Sequence, residues 1–178
     1  MIVESVVGVV LVVGLPLLIV LFYFEGLIVG KVVQPPLVFV VVLAVTTPPL
    51  WIVALLLVGC TIAVTAGQWT AYLSFDDESN VPSWVPGSGS LGRRLVDGIA
   101  ERPVERVGTL FERYGGIGIF LAVFLPGVRG MMAIPAGMTA YPVDRFLVVS
   151  LLGNAVYFSL LTVVAFWGSR LLAEWSVF

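Results

Sequence analysis

Long apolar stretches with almost no charged residue restrict this chain more than any other feature of its sequence. They cover residues 6–24, 35–73 and 146–167. A helix that crosses a bilayer needs about 20 mostly apolar residues, and no soluble fold of this size could bury so many. With 60% hydrophobic and 11% charged residues over 178 positions, the chain is predicted to be an all-helical, polytopic membrane protein of one domain, residues 1–178.

The same composition excludes several classes of function. A formal charge of -2 with no block of basic residues excludes nucleic acid as a partner. The chain has no histidine and one cysteine, Cys60, which we read as a packing residue, so His/Cys metal sites and disulfides are excluded. Mechanisms that need a histidine base are excluded as well. We therefore expect neither an enzyme nor a protein with a metal or cofactor.

The first half of the chain contains one intact and one broken apolar segment. Residues 6–24 lack the basic start of a signal peptide and are read as a retained span. The next run is interrupted by TTPPLW, where Pro48 and Pro49 cannot continue a straight helix. Residues 35–45 are too short to cross, which predicts one arm of a re-entrant hairpin, and residues 50–73 form a true span.

The middle of the chain is polar. Residues 75–92 are rich in Pro, Gly and Ser and are predicted to be a polar linker. Residues 91–114 carry apolar positions near helical spacing, which predicts an amphipathic helix on the membrane surface or, alternatively, one packed on the protein's own loops. The five arginines in this loop favour a cytoplasmic side.

The second half repeats the pattern of the first. An apolar run over residues 117–141 is interrupted by prolines and glycines, and an intact apolar segment follows over residues 146–167. Two broken segments, each followed by a span, form a loose inverted repeat of the kind from which transporters build a substrate site near the bilayer midplane. The pattern therefore favours transport, with about three full spans and two re-entrant segments.

Arg129 is the first candidate site residue, because it stands in the middle of the broken segment FLPGVRGMMAIPAGM. A central arginine costs about +2.5 to +3.5 kcal/mol on insertion scales, so it is expected to face an anionic partner. Its planar fork of donors matches a phosphate headgroup, and a salt bridge to Glu25 is the structural alternative. Pro126, Gly127, Pro135 and Gly137 break the helix around it and free backbone groups for the same site.

Glu25 directly follows the first apolar stretch, so it either lies at the interface or enters the polar site, as a proton carrier or the partner of Arg129. Lys31 is read as a snorkelling anchor. Gln68 and Asn154 are polar groups within apolar runs, and either of them could simply hydrogen-bond a neighbouring helix. Gln68 is the third polar candidate for the site.

The stretch from Tyr114 to Tyr157 resembles the signature region of the DedA family, also called the VTT domain. The positions that fit its pattern are Tyr114, Gly115, Phe124, Pro126, Gly127, Arg129, Pro135, Ala136, Gly137, Phe146 and Gly153. A looser match in the first half extends the resemblance over residues 24–157. The resemblance implies translocation of polyprenyl-phosphate carriers or phospholipids, coupled to an ion gradient in some relatives and passive in others.

The chain departs from the family pattern at charged and polar positions. These departures are Val123 for an arginine, Leu37 for an acid, Gln68 for an aspartate, Ser150 for an asparagine and Tyr157 for a tryptophan. Of the charged set only Glu25 and Arg129 remain. With so few ionisable groups, the resemblance implies passive or differently coupled lipid movement more than proton coupling.

The sequence thus predicts a multi-pass cell-membrane transporter that flips or scrambles a phosphate-bearing lipid, with Arg129 binding the headgroup. The alternative is a non-transporting scaffold or assembly protein in which Arg129 and Glu25 form a structural ion pair. Membrane lipids are the expected partners, and ion-gradient coupling and a homo-oligomer stay open. A composition with Lys31 as the single lysine and the acidic loop FDDESN favours a prokaryotic, salt-adapted source such as an archaeon.

Overall fold

The computed structural model of the chain describes residues 2–27, 34–75, 113–125, 129–139 and 141–175, with the side chains of 13–27 and 141–170 in the first and last ranges. Every element in these ranges is helical, which confirms the all-helical prediction for the described residues. The elements are α1 (Ile2–Gly26), α2 (Pro35–Thr46), α3 (Leu50–Phe75), α4 (Gly116–Ala122), a 3-10 turn (Arg129–Met132), α5 (Ala133–Met138) and α6 (Val143–Trp175).

Two described helices are long and apolar enough to cross a membrane. They are α3 over Leu50–Phe75 and α6 over Val143–Arg170. Helix α1 has 25 residues, but its described side chains cover only Val13–Gly26, a shorter apolar helix. Two of the three predicted spans therefore meet the criterion within the described part of the chain.

The break between α2 and α3 lies where the two prolines predicted it. Thr47 adopts a left-handed conformation with φ 37° and its N–H donates to the carbonyl of Leu43, which ends α2. Pro48 and Pro49 follow, and α3 begins at Leu50. With 12 residues α2 is about 18 Å long, well short of the roughly 30 Å hydrocarbon core. That it re-enters the membrane stays a prediction, as does the repeat.

Helices α1 and α3 run side by side in the same direction. Gly26 meets Gly67, and Ile19, two turns earlier on α1, meets Gly59, two turns earlier on α3. A Cβ atom on Gly67 would collide with the carbonyl oxygen of Tyr23, so the two backbones approach closely at this crossing. The carboxyl end of α1 therefore lies beside the second half of α3.

Helix α6 runs antiparallel to α3. The ring of Tyr72 stacks on Phe146 with centroids 5.2 Å apart, and Asn154 is hydrogen-bonded to Gln68 at 2.9 Å. Extending this register brings the start of α3 to the level of Trp167 near the end of α6. We call this end of the helix pair the Trp167 end, and the opposite one the Val143 end.

The short helices lie along these two. Helix α2 packs against α6 and α1, while α4 packs against α6 and α5 against α3. Phe22 of α1, Phe39 of α2 and Phe158 of α6 are fully buried and pack in T-shaped and tilted pairs, with centroids 4.8 to 6.1 Å apart. This phenylalanine cluster forms the centre of the larger apolar core, which also contains Cys60 as the predicted packing residue.

The outer faces of α3 and α6 remain strongly apolar. Trp51 is 65% exposed and Trp167 is 68% exposed, and large aliphatic side chains are exposed along the rest of both helices. Contiguous exposed apolar surface of this kind marks a membrane-facing side. Lys31, the linker after Phe75 and the predicted amphipathic helix, apart from Arg113 and Tyr114, lie outside the described residues.

Candidate functional site

The centre of the site is an ion pair between Arg129 and Glu25. Nη2 of Arg129 contacts Oε1 of Glu25, and the side chains are 4% and 19% exposed. Glu25 is the second-last residue of α1 and Arg129 is the first residue of the 3-10 turn, so the end of the first apolar segment meets the middle of the broken segment 117–141 here. Glu25 thus pairs with Arg129, one of the alternatives predicted for it, whereas its depth in the membrane stays a prediction.

Aromatic rings support the guanidinium from the other side. Its central carbon lies 4.6 Å from the ring centroid of Tyr157 and 5.7 Å from that of Phe158. A cation over an aromatic face gains about 0.5 to 2 kcal/mol, the more so when water is excluded. Phe158 also belongs to the phenylalanine cluster, so Arg129 rests directly on that cluster.

Three polar side chains of α3 and α6 are linked by hydrogen bonds, and the last of them, Gln68, bonds the backbone of Arg129. Nε2 of Gln68 donates to the carbonyl oxygen of Arg129 at 3.1 Å. Nδ2 of Asn154 donates to Oε1 of Gln68 at 2.9 Å and to Oγ1 of Thr65 at 3.1 Å. Because a carbonyl can only accept, the Gln68 amide must turn its nitrogen to Arg129 and its oxygen to Asn154. Gln68 thus lies beside Arg129, and its part in substrate binding stays a prediction.

Several buried polar atoms around the pair have no hydrogen-bond partner among the described residues. Such atoms are expected to find a partner in a native protein, because an unpaired buried polar group costs about 1 to 3 kcal/mol. They are Glu25 Oε2, Arg129 Nη1, Ser150 Oγ and Asn154 Oδ1. The site therefore has unused hydrogen-bond donors and unused acceptors for a polar ligand.

The remaining predicted site residues are distributed differently. Pro126 and Gly127 lie outside the described residues. Pro135 and Gly137 are buried within α5, and a Cβ atom on Gly137 would lie 2.6 Å from the carbonyl oxygen of Tyr72. Gly137 thus lets α5 pack against the backbone of α3. That Pro126, Gly127, Pro135 and Gly137 take part in substrate binding stays a prediction.

Sequence reasoning missed Thr65 and did not use Tyr157 or Ser150 as site residues. A usable signal exists, because Thr65 and Gln68 are three residues apart on α3, and Ser150 and Asn154 are four apart on α6. At these spacings polar residues share one face of a helix. No group of three or more His, Cys, Asp or Glu residues that could hold a metal ion occurs in the described ranges.

Comparison with known proteins identifies relatives of the chain. The VTT domain model matches residues 34–167. Undecaprenyl phosphate transporter A of Staphylococcus aureus (strain NCTC 8325 / PS 47) is 30% identical over 59 residues, which cover 33% of this chain and 29% of that protein. The chain thus matches less than a third of the length of that relative. No solved structure matches. Because the family model covers well over half of its length, the chain belongs to the VTT domain family, also called DedA, and is a membrane protein.

Proposed function

We propose that this protein translocates a phosphate-bearing lipid, such as a phospholipid or a polyprenyl phosphate, across a prokaryotic cell membrane. The observation that carries the proposal is the buried ion pair of Arg129 and Glu25, where the end of α1 meets the broken segment that contains Arg129. A planar guanidinium binds phosphate oxygens in the same way as carboxylate oxygens. Glu25 then occupies the place of the headgroup, which displaces it when the lipid binds.

The relatives support the same class of substrate. The Staphylococcus aureus protein is named as a transporter of undecaprenyl phosphate, a lipid that ends in a phosphate group. The unpartnered Nη1 of Arg129 offers that group a second donor beside the one engaged by Glu25. Neither feature requires a cofactor or a nucleophile, which favours transport over catalysis.

We propose an architecture in which two re-entrant hairpins meet tip to tip within one domain. Helices α1 and α2 approach from the Trp167 end, and α4 and α5 approach from the Val143 end. Phe22 and Phe39 lie side by side, so α1 and α2 are in contact, and Gly116 and Phe124 lie beside Val149 and Tyr157, about two turns apart on α6. Glu25 and Arg129 then lie at the hairpin tips, α3 and α6 are full spans, and α1 is a hairpin arm in place of the third span predicted over residues 6–24.

We further propose that transport is passive, or coupled in a different way from proton-driven relatives. Gln68 is an uncharged amide whose two ends are both hydrogen-bonded. Val123 is buried and apolar, and Leu37 is 60% exposed on α2. Among the described residues the site thus contains one acidic residue, Glu25, and one basic residue, Arg129, whose charges compensate each other.

The experiment that tests this function is lipid translocation in proteoliposomes with labelled phospholipid or polyprenyl phosphate. We expect Arg129→Ala to abolish translocation, because the headgroup loses its donors. Glu25→Gln retains headgroup binding and is expected to change the rate without abolishing it. Arg145→Ala is the matched control, since Arg145 is an exposed arginine at the start of α6. Equal rates for wild type and Arg129→Ala would exclude the headgroup role.

The second candidate function is a membrane scaffold that moves no lipid. It is favoured by how completely Arg129 is held, through its side chain by Glu25 and two rings and through its backbone by Gln68. In a scaffold the ion pair serves stability alone. Purified protein would then show no translocation above empty liposomes, and Arg129→Ala would lower only its thermal stability.

A further inference from the structure

We propose that the lipid headgroup reaches Arg129 from the Val143 end, past Ser150 and Asn154, and that the phenylalanine cluster closes the route from the Trp167 end. The proposal rests on the lipid transport proposed above and adds its route. It assigns Ser150 and Asn154 as polar contacts of the entering headgroup. It also assigns Phe22, Phe39 and Phe158 as a gate that must open before the headgroup can leave on the other side.

The side toward the Val143 end carries two buried polar groups within an apolar core. Ser150 and Asn154 are 1% and 0% exposed, lie one turn apart on the same face of α6, and each carries an oxygen without a partner in the described ranges. The core on this side combines four alanines with larger residues, among them the stacked rings of Tyr72 and Phe146, which a headgroup has to displace before it reaches Ser150. A phosphate that arrives there accepts a hydrogen bond from the Ser150 hydroxyl, and a headgroup hydroxyl donates to Oδ1 of Asn154.

The side toward the Trp167 end has the opposite character. Phe158 follows Asn154 by one turn of α6, and Phe22 precedes Glu25 by about one turn of α1. With Phe39 they form a cluster that reaches the guanidinium of Arg129 through Phe158, and all three rings are fully buried. Because the apolar rings offer a charged headgroup no hydrogen bond, it cannot pass between them while they are in contact.

Phe39 is the ring whose displacement would open the route. It lies on α2, which has 12 residues and ends at the left-handed Thr47 before two prolines. Phe22 and Phe158, in contrast, lie on α1 and α6, helices of 25 and 33 residues. A small rotation of the short helix would separate Phe39 from both partners without moving the ion pair.

The single native cysteine allows a direct test. Cys60 is fully buried in the apolar core beside the phenylalanine cluster, and Ser150, at 1% exposure, is matched to it in burial. In liposomes with a charged, water-soluble methanethiosulfonate reagent on both sides, we expect Ser150→Cys in a Cys60→Ala background to react about tenfold faster, or more, than Cys60 in the wild type. In the otherwise wild-type protein, Phe39→Ala is expected to raise the rate at Cys60 toward that of Ser150→Cys.

Equal labelling rates at the two positions, or faster labelling of Cys60, would overturn the proposal. An unchanged rate at Cys60 in folded Phe39→Ala would overturn the gate, and Phe39→Leu provides the same test if the alanine variant does not fold. Labelling is measured without transport. A protein that labels as expected but moves no lipid would refute the proposed function, whereas a transporting protein with equal labelling would refute only the route.

Discussion

Arg129 is held at both of its ends, by its guanidinium and by its backbone carbonyl. The guanidinium faces Glu25 and lies 4.6 Å from the centroid of the Tyr157 ring, and the carbonyl oxygen accepts from Gln68. The side-chain and backbone contacts involve different partners. Substitutions of those partners should therefore separate charge compensation from backbone positioning.

Removing one member of the ion pair should destabilise the fold more than removing both. Arg129→Met leaves the Glu25 carboxylate without its partner, and we expect a loss of about 3 kcal/mol, the low end for a buried pair because Glu25 is partly exposed. Arg129→Met combined with Glu25→Met leaves no charge behind and should unfold within about 1 kcal/mol of wild type. Thermal unfolding in detergent measures both. A double variant less stable than Arg129→Met would contradict this explanation.

A carboxylate at position 68 should lower the stability of the fold more than an apolar side chain does. Gln68→Glu retains the acceptor for Asn154 but has no hydrogen to donate, so two oxygens would face each other at the Arg129 carbonyl. We expect it to lose about 1 to 3 kcal/mol and to lie below Gln68→Met in melting temperature. If Gln68→Glu melts with or above Gln68→Met, the orientation of the amide is wrong.

At the scale of elements, the crossing of α1 and α3 determines where Glu25 is placed. The crossing is made by two glycines, because a Cβ atom on Gly26 would collide with the carbonyl oxygen of Val64, and one on Gly67 with that of Tyr23. The backbones can approach only without side chains at these positions. The carboxylate of Glu25, one residue before Gly26, is thereby fixed beside the second half of α3.

Alanine at either glycine of the crossing should push the helices apart. We expect Gly67→Ala to destabilise by about 1 to 3 kcal/mol, the usual range for overpacking. Gly168→Ala is the matched control, since that glycine lies in α6 with open space around its Cβ position. It should be neutral or stabilising by up to about 1 kcal/mol, because alanine favours a helix. The stability of each variant is measured as its melting temperature. Equal melting temperatures for Gly67→Ala and Gly168→Ala would contradict the close crossing of α1 and α3.

The boundaries of the elements could be predicted from local sequence, whereas their register could not. Two prolines fix the end of α2 and the start of α3 to within a residue or two, because a helix cannot continue through them. The pairing of Asn154 with Gln68 joins residues 86 apart, and many polar residues in apolar runs offer alternative partners. The pairing of Arg129 with Glu25 could be predicted as one of two alternatives, because Arg129 lies within an apolar segment and Glu25 directly follows one.

At the scale of the whole molecule, the tryptophans indicate how the helices sit in a bilayer. Trp51 at the start of α3 and Trp167 on α6 lie at the same end of the antiparallel pair, and both are exposed. Trp69, also exposed, lies 18 residues after Trp51 on α3, a rise of about 27 Å. This is close to the roughly 30 Å hydrocarbon thickness, and tryptophans prefer the two interfaces. The ion pair, at the level of Gln68, then lies close to the interface at the Val143 end.

Depth-dependent fluorescence quenching should confirm this placement. In single-tryptophan variants that retain Trp51, Trp69 or Trp167, lipids brominated near the headgroup should quench more strongly than lipids brominated near the chain end. Ile62→Trp in the same background is the control, because Ile62 is exposed near the middle of α3 and should show the reverse order. Deep quenching at Trp51 or Trp69 would show that α3 is tilted or shifted in the membrane.

The most direct test of lipid transport uses the variant in which both charges are removed together. Arg129→Met with Glu25→Met is expected to fold under either proposed function, so its translocation rate in proteoliposomes separates headgroup binding from structural support. Transport through Arg129 predicts that the folded double variant moves labelled phosphate lipid no faster than empty liposomes while the wild type moves it. A double variant that transports at the wild-type rate would show that the ion pair is structural and that the headgroup binds elsewhere.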